Sequence, residues 1–384
     1  MLSISKIKYS HISLVCFFVI VFILTRQVPF KNLSILSNLS LLILLIANFP
    51  KEKTFIIFSF IILCLTGYSI INENVYGFIF RFLIILWSIC ACYYIKLNEK
   101  AIKILFIFTF LQCFVIIGFE IFILFFSNDT LNSGIRTFFL NKGWGDIYTL
   151  NGVYYKIQIL GNAILPFVYM LSFVYPIFPS KYTLIYRIIF FVSILLSGQF
   201  AFLIAIVSFH IYNFYRTVHN NKQLIYSTYL FIVIILSSSI PAYKYVKDTL
   251  EMKKDESTAI RIEQTNLLIN DLNSNFGTIL FGKGIGNTLK KQTHFRDYTD
   301  NVYFELQTIY ILNQLGIIFF TLFILYNIHL AFKHIKYKEL LFIYLFYICY
   351  AITNPYIFDT NHIVVILTLS TICNIKNKTK ESCQ

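Results

Sequence analysis

The 384-residue chain is strongly apolar, with 58% hydrophobic residues, 13% charged residues and a mean hydropathy of +0.71. These values exclude an ordinary soluble globular protein and favour a polytopic integral membrane protein. The net charge of +14 is spread in small groups between apolar runs, as orientation signals are, so we expect no nucleic-acid partner.

Apolar runs close to the ~20 residues that cross a bilayer as a helix predict an all-α fold. We expect about twelve transmembrane helices in a single bundle over residues 1–384. The first run, 14–24, is followed by no small-residue cleavage site, so we interpret it as a span and not as a signal peptide. The predicted spans are 11–25, 33–49, 54–71, 77–95, 102–126, 157–178, 184–197, 199–215, 224–241, 303–327, 340–353 and 361–374.

Positive charge orients this arrangement. With a cytoplasmic N-terminus, seventeen Lys and Arg residues fall in inner segments, against five in the short outer loops, namely Arg26, Lys31, Arg136, Lys142 and Lys156. This asymmetry follows the positive-inside rule. It predicts that both termini are cytoplasmic and that the polar stretches 127–156 and 242–302 are periplasmic loops.

The large loop, 242–302, contains a predicted helix over 255–275. Ser257 can cap its start, and its apolar residues Ile260, Leu267, Leu268 and Leu272 share roughly one face, with Arg261, Gln264 and Asn275 elsewhere. A helix of this kind is expected to lie along the membrane surface. Arg261 could point back at the bundle, or it could be a solvated residue paired with an acidic neighbour.

A glycine-rich segment, Gly282-Lys283-Gly284-Ile285-Gly286, follows in the same loop. It lacks the strand and long helix that frame a nucleotide-binding motif. Two interpretations remain: a backbone nest whose N–H groups receive an anion, or a tight structural turn.

Polar residues then cluster where the large loop enters the tenth predicted span. They are His294, Asp300, Asn301 and Glu305, with Glu305 one turn inside an apolar helix. A carboxylate there is costly unless it is paired or faces water, so Glu305 is a candidate functional residue. Glu120 in the fifth predicted span raises the same question, with a structural pair inside the bundle as the alternative.

The segment 261–320 resembles the O-antigen polymerase and O-antigen ligase superfamily. It has an early Arg in a late outer loop, a glycine turn, and a polar cluster that enters a helix with a Leu-Gly step. Two departures bear on the assignment: Phe200 stands where the family often has Arg, and His294 lies several residues before the position of the ligase His. The second departure favours a polymerase over a ligase. The matching residues are Gly282, Gly284, Gly286, Asn301, Glu305, Leu315 and Gly316, with Ser197-Gly198-Gln199 upstream.

The resemblance implies polymerisation of undecaprenyl-diphosphate-linked repeat units at the periplasmic face of the bacterial inner membrane, without ATP, metal or cofactor. Its expected partners are the lipid-linked donor and acceptor glycans and the lipids of the inner membrane, with a chain-length regulator as a further candidate. Arginine grips phosphate oxygens in a bidentate manner, so the diphosphate-binding candidates are Arg261 and Arg136. The other expected substrate-binding residues are Asn301, Gln199, Gly284 and Gly286, and the candidate catalytic bases are Glu305, His294 and Asp300.

Other functional classes stay open at this point. An O-antigen ligase would transfer the glycan to lipid A-core. A flippase or transporter for lipid-linked sugars would also be many-spanned and basic, but it would carry mid-span charges or helices broken at corresponding positions of two halves. A non-catalytic membrane anchor is a further alternative.

Overall fold

The computed structural model describes residues 2–25, 33–126, 129–150, 154–177, 179–218, 259–291, 297–299, 302 and 304–382. These residues are mostly helical. The helices are α1 (Leu2–Leu24), α2 (Ser34–Ala47), α3 (Lys53–Ile71), α4 (Tyr76–Ala91), α5 (Glu99–Phe126), α6 (Asp129–Lys142), α7 (Ile164–Val174), α8 (Thr183–Ser197), α9 (Phe200–Val218), α10 (259–272), α11 (Phe276–Phe281), α12 (Gln307–His334), α13 (Lys338–Ile352) and α14 (Thr360–Ser382).

Three helices, α3, α5 and α12, are long and apolar enough to cross a membrane, and several shorter apolar helices accompany them. This composition indicates a membrane protein. Eleven of the predicted spans coincide with helices of the structure, while the predicted span 224–241 lies outside the described residues. The number of twelve therefore stays a prediction.

Contacts between the connecting segments of the described helices define two ends of the bundle. At one end, which we call the basic end, Glu52 accepts hydrogen bonds from Lys333 and Tyr94, and Glu339 pairs with Arg216. The hydrogen bond from Lys333 lowers the pKa of the Glu52 carboxyl. The opposite end, the loop end, carries the turns that follow α3, α8 and α13.

The centre of the bundle is formed by α7 and the first half of α14, whose residues are almost all buried. A chain of hydrogen bonds crosses this core. Tyr93 and Tyr344 share a bond of 2.7 Å between their hydroxyls, Tyr344 bonds His362 Nε2 at 2.8 Å, and His362 Nδ1 bonds the Ile357 carbonyl at 2.7 Å. Because a carbonyl only accepts, His362 donates from Nδ1 and Tyr344 donates to Nε2, which fixes the tautomer.

Two strands lie between α6 and α7, which the all-α prediction did not include. β1 (Gly145–Leu150) pairs antiparallel with β2 (Tyr154–Ile159), and Ile147 lies opposite Ile157. The alternation in β2 points Ile157 and Ile159 into the core. The predicted span 157–178 is wrong at its start for this reason: its first residues complete a strand, and the helix begins only at Ile164.

α12 is interrupted at Gly316, whose backbone angles are φ 68° and ψ 173°. The carbonyls of Asn313 and Gln314 lose their helical partners at this break. They accept instead from the N–H groups of Lys283 and Gly284, each at 3.0 Å. The glycine-rich segment therefore completes the hydrogen bonds of a broken helix.

α10 lies within the predicted helix 255–275, but its packing differs from the prediction. Gln264, Leu268 and Leu272 form its buried face, so Gln264 lies at the centre of that face and not away from it. Leu268 is held at α12, because the Asn313 amide donates to its carbonyl at 3.1 Å. The helix packs on the bundle through these contacts. Ser257, the predicted cap, lies outside the described residues.

Candidate functional site

Two of the predicted site residues form an ion pair at the loop end. Arg261 Nε lies 3.4 Å from Glu305 Oε2, and 41% of the Arg261 side chain and 23% of the Glu305 side chain are exposed. The pair joins the first turns of α10 to the residues that precede α12. A cation and a carboxylate thus share one partly open position, where each can meet a ligand from solvent.

Glu305 is not on a helix, contrary to the prediction. Residues 305 and 306 form a turn, and α12 begins at Gln307. The prediction that Glu305 lies one turn inside an apolar helix is therefore wrong. The aromatic rings explain the shape of this segment: Phe304 is stacked between Tyr298, with ring centroids 5.0 Å apart, and Tyr310, at 4.5 Å. This stack holds the chain in a compact turn before the helix.

Gln264 supports the same turn from α10. Its amide nitrogen donates to the Tyr298 hydroxyl at 2.8 Å, and its amide oxygen lies 3.5 Å from the Leu306 nitrogen. Both Gln264 and Tyr298 are buried. The position of Glu305 is therefore fixed by Gln264 and Tyr298, for which the sequence predicted no such role.

The glycine-rich segment directs its N–H groups into the protein. Gly284 N–H donates to the Gln314 carbonyl, Ile285 N–H to Ser69 Oγ at 2.7 Å, and Gly286 N–H approaches Gln314 Oε1 at 3.3 Å. The tight-turn interpretation accounts for these contacts without a bound anion. The assignment of Gly284 and Gly286 to substrate binding stays a prediction.

Arg136, the second predicted cation, is engaged by a carboxylate. Its Nε lies 2.9 Å from Asp146 Oδ1 and a terminal nitrogen lies 3.2 Å from Asp146 Oδ2. This bidentate pair ties α6 to β1, and half of the Arg136 side chain is exposed. Its role in substrate binding stays a prediction.

Gln199, predicted to bind substrate, lies in the turn between α8 and α9. Its amide donates to the Tyr356 hydroxyl at 2.8 Å, which joins this turn to the one between α13 and α14. The Lys156 side chain lies across the neighbouring Gly198, where a Cβ atom would meet Lys156 Cγ at 2.6 Å. Gln199 thus belongs to a second polar group at the loop end.

Glu120 is buried in α5 next to the hairpin. One carboxylate oxygen accepts from the Tyr155 backbone N–H at 3.0 Å, and the other has no hydrogen-bond partner among the described residues. This contact fits the structural alternative raised by the sequence, in which Glu120 holds a neighbouring segment.

The remaining predicted residues, His294, Asp300 and Asn301, lie outside the described residues. Within the part of the chain that the structure describes, no three His, Cys, Asp or Glu side chains are grouped as a metal site would require.

Comparisons of the chain with protein-family models, with curated proteins and with solved structures found no match.

Proposed function

We propose that the chain is a membrane glycosyltransferase that polymerises undecaprenyl-diphosphate-linked repeat units into O-antigen or a related surface polysaccharide. The observation that carries the proposal is the Arg261–Glu305 pair. This reaction requires of a protein a cation that binds diphosphate and a base, and Arg261 and Glu305 offer a cation and a carboxylate in one partly exposed position.

The donor already carries a good leaving group, so the chemistry is a single displacement. An acceptor hydroxyl attacks C1 of the donor sugar, the C1–oxygen bond to the diphosphate breaks, and undecaprenyl diphosphate leaves with the bonding electron pair. Glu305 takes the proton of the attacking hydroxyl, and the guanidinium of Arg261 stabilises the charge that develops on the diphosphate. The new glycosidic bond lengthens the glycan by one repeat unit.

The ion pair has a direct consequence for this reaction. While Arg261 and Glu305 are paired, the guanidinium of Arg261 is engaged by the carboxylate. A diphosphate that binds Arg261 would compete with Glu305 for the guanidinium. Donor binding would then fill the cation site and change the contacts of the base.

The proposal includes a membrane topology. We infer twelve spans in the bacterial inner membrane, cytoplasmic termini, and a periplasmic loop end, from the distribution of Lys and Arg. Reporter fusions at Glu251 and Lys376 should report opposite sides of the membrane. The same side for both fusions would contradict this topology.

Gene deletion in the source bacterium, followed by gel analysis of its surface polysaccharide, tests the function. If the chain is a polymerase, the deletion strain should give products with a single repeat unit. Complementation with the native gene should then restore the ladder, whereas complementation with the Arg261→Ala gene should not. Loss of all lipid A-linked glycan would identify a ligase instead. Normal ladders after deletion would reject every one of these activities.

A transporter for lipid-linked sugars is the second candidate, because α12 is interrupted at Gly316 and transporters often bind substrate at broken helices. The freed carbonyls of Asn313 and Gln314 are occupied by the glycine-rich segment, however, and so are not offered to a ligand. The deletion strain also distinguishes a transporter from a polymerase, since loss of a flippase would leave no repeat units on the outer face of the membrane.

A further inference from the structure

A cleft of about 410 Å³ lies at the loop end, between the turn that follows α3 and the segment from α11 to Asn287. This size is within the range of about 300–1,000 Å³ of small-molecule sites. Neutral hydrogen-bonding side chains dominate its lining, which includes Tyr68, Asn72, Asn74, Asn275, Thr278 and Asn287.

The two walls of the cleft are fixed to each other. The Asn74 amide donates to the carbonyls of both Lys283 and Ile285 at 3.1 Å, and the Tyr68 hydroxyl donates to the Gly282 carbonyl at 3.2 Å. Glu73, between Asn72 and Asn74, has a positive φ of 56°. A non-glycine residue in this conformation is strained and persists only where the surroundings hold it.

Several polar groups of the cleft keep hydrogen-bonding capacity. Asn72 is exposed, and its amide nitrogen lies 3.5 Å from the Lys283 carbonyl, a distance at which a hydrogen bond is weak. Among the described residues, the Asn275 side chain makes its hydrogen bonds through its oxygen, which accepts from Thr278 N–H. Phe281 is 43% exposed and adds an apolar face at the same place.

The character of these groups decides among ligand classes. A phosphate is disfavoured because Gly284 and Ile285 direct their N–H groups into the protein and because Lys283 lies 3.7 Å from the Asp271 carboxylate. An acyl chain is disfavoured because six of the nine lining residues carry neutral hydrogen-bonding side chains. Amides that donate and accept, next to an aromatic ring, match the hydroxyls and the C–H face of a sugar.

We propose that this cleft binds a neutral sugar ring of a glycan. Its use as a subsite for one sugar of the lipid-linked repeat unit rests on the proposed function, whereas sugar binding itself does not. α10 connects the cleft to the ion pair: Asp271, which contacts Lys283, lies about 15 Å from Arg261 along the helix at ~1.5 Å per residue. A repeat unit of a few sugars can cover that distance.

Saturation-transfer difference NMR on the full-length protein in detergent tests the binding. The probes are the methyl glycosides of glucose, galactose, rhamnose and N-acetylglucosamine. At least one should give a signal, and the double change Asn72→Ala and Asn287→Ala should weaken its binding at least about tenfold through the loss of two amides. Gly277→Leu, whose side chain would enter the cleft beside the Asn275 amide, should weaken it similarly.

Asn273→Ala is the matched control, since Asn273 is an exposed amide directly after α10 that does not line the cleft. It should bind as the native protein does. Thermal unfolding of each variant establishes that it is folded. No signal from any glycoside with the native protein, equal binding by the cleft variants, or displacement of the glycoside by inorganic phosphate would each overturn the proposal.

Arg261→Ala separates the two proposals. This variant should still bind the glycoside, because Arg261 does not line the cleft. Under the proposed function this variant restores no ladder although it binds the glycoside. Glycoside binding by the native protein together with a normal ladder in the deletion strain would reject the proposed function and leave the sugar site standing. Normal polymer length in the cleft variants would reject the subsite role alone.

Discussion

Gly282 and Gly316 meet backbone to backbone, although they are far apart in the chain. A Cβ atom on Gly282 would lie 2.5 Å from the Gly316 nitrogen, and one on Gly316 would lie 2.5 Å from the Leu280 oxygen. Both residues have positive φ, at 76° and 68°. The glycine-rich segment and the broken helix therefore require glycine at both positions, for reasons of space and of backbone conformation.

We expect Gly316→Ala to lower stability and to abolish polymer. A residue with a Cβ atom at this positive φ lowers the free energy of unfolding by about 1–3 kcal/mol. The contact of that Cβ atom with the backbone of the glycine-rich segment lowers it further. Thermal unfolding in detergent measures the effect. Gly67→Ala in α3 is the control, because a Cβ atom there has no neighbour within 4 Å; equal stability of the two variants would contradict the role of this contact.

Arg261→Lys should restore little polymer to a deletion strain, because an ammonium group cannot reproduce the bidentate grip of a guanidinium on phosphate. Its unfolding free energy should change by less than about 1 kcal/mol, since the pair with Glu305 is partly exposed. Arg216→Ala, which removes an exposed pair at the basic end, should leave polymer unchanged. A full ladder from Arg261→Lys would mean that charge alone is needed.

Glu305→Gln should leave donor binding intact and reduce turnover by ~10²–10⁴-fold, the usual contribution of a general base. The measurement is polymer formation by purified protein from lipid-linked repeat units extracted from the deletion strain. Glu99→Gln, at an exposed pair with Lys103, is the control. Near-normal turnover in Glu305→Gln together with loss in His294→Ala would transfer the role of base to His294.

Tyr344→Phe should destabilise the fold by about 1–3 kcal/mol, because it leaves the buried Tyr93 hydroxyl and His362 Nε2 without a partner. Thermal unfolding again measures the change. Tyr212→Phe is the matched control: the Tyr212 ring stacks on Phe342 at 4.1 Å, and no hydrogen bond of its hydroxyl is present among the described residues. Similar stabilities of the two variants would show that the hydrogen-bond chain contributes little.

Hydropathy located most helices because burial in a bilayer needs only a run of apolar residues, as in α5. It misplaced the start of α7, since Ile157 and Ile159 extend the apolar run although their alternation is that of a strand. That alternation was a usable signal for the hairpin.

The site was predictable only in part. Arg261 and Glu305 were both selected, but their pairing depends on how α10 docks, and the docking depends on the bond between Gln264 and Tyr298. The burial of a polar side chain can be predicted only when its hydrogen-bond partner is known. The break at Gly316 has the same origin, because its carbonyls are satisfied from the glycine-rich segment.

The interruption of α12 also bears on how deep Gly316 would lie in a bilayer. Residues 317–334 rise about 27 Å at ~1.5 Å per residue, close to the ~30 Å thickness of a bilayer's hydrocarbon core. The exposed apolar side chains of α12 begin at Ile317 and continue to Phe332, whereas the buried residues before Gly316 include Asn313 and Gln314. We infer that Gly316 lies near the boundary between hydrocarbon and headgroups, the level at which the lipid-linked diphosphate of the proposed function would meet water.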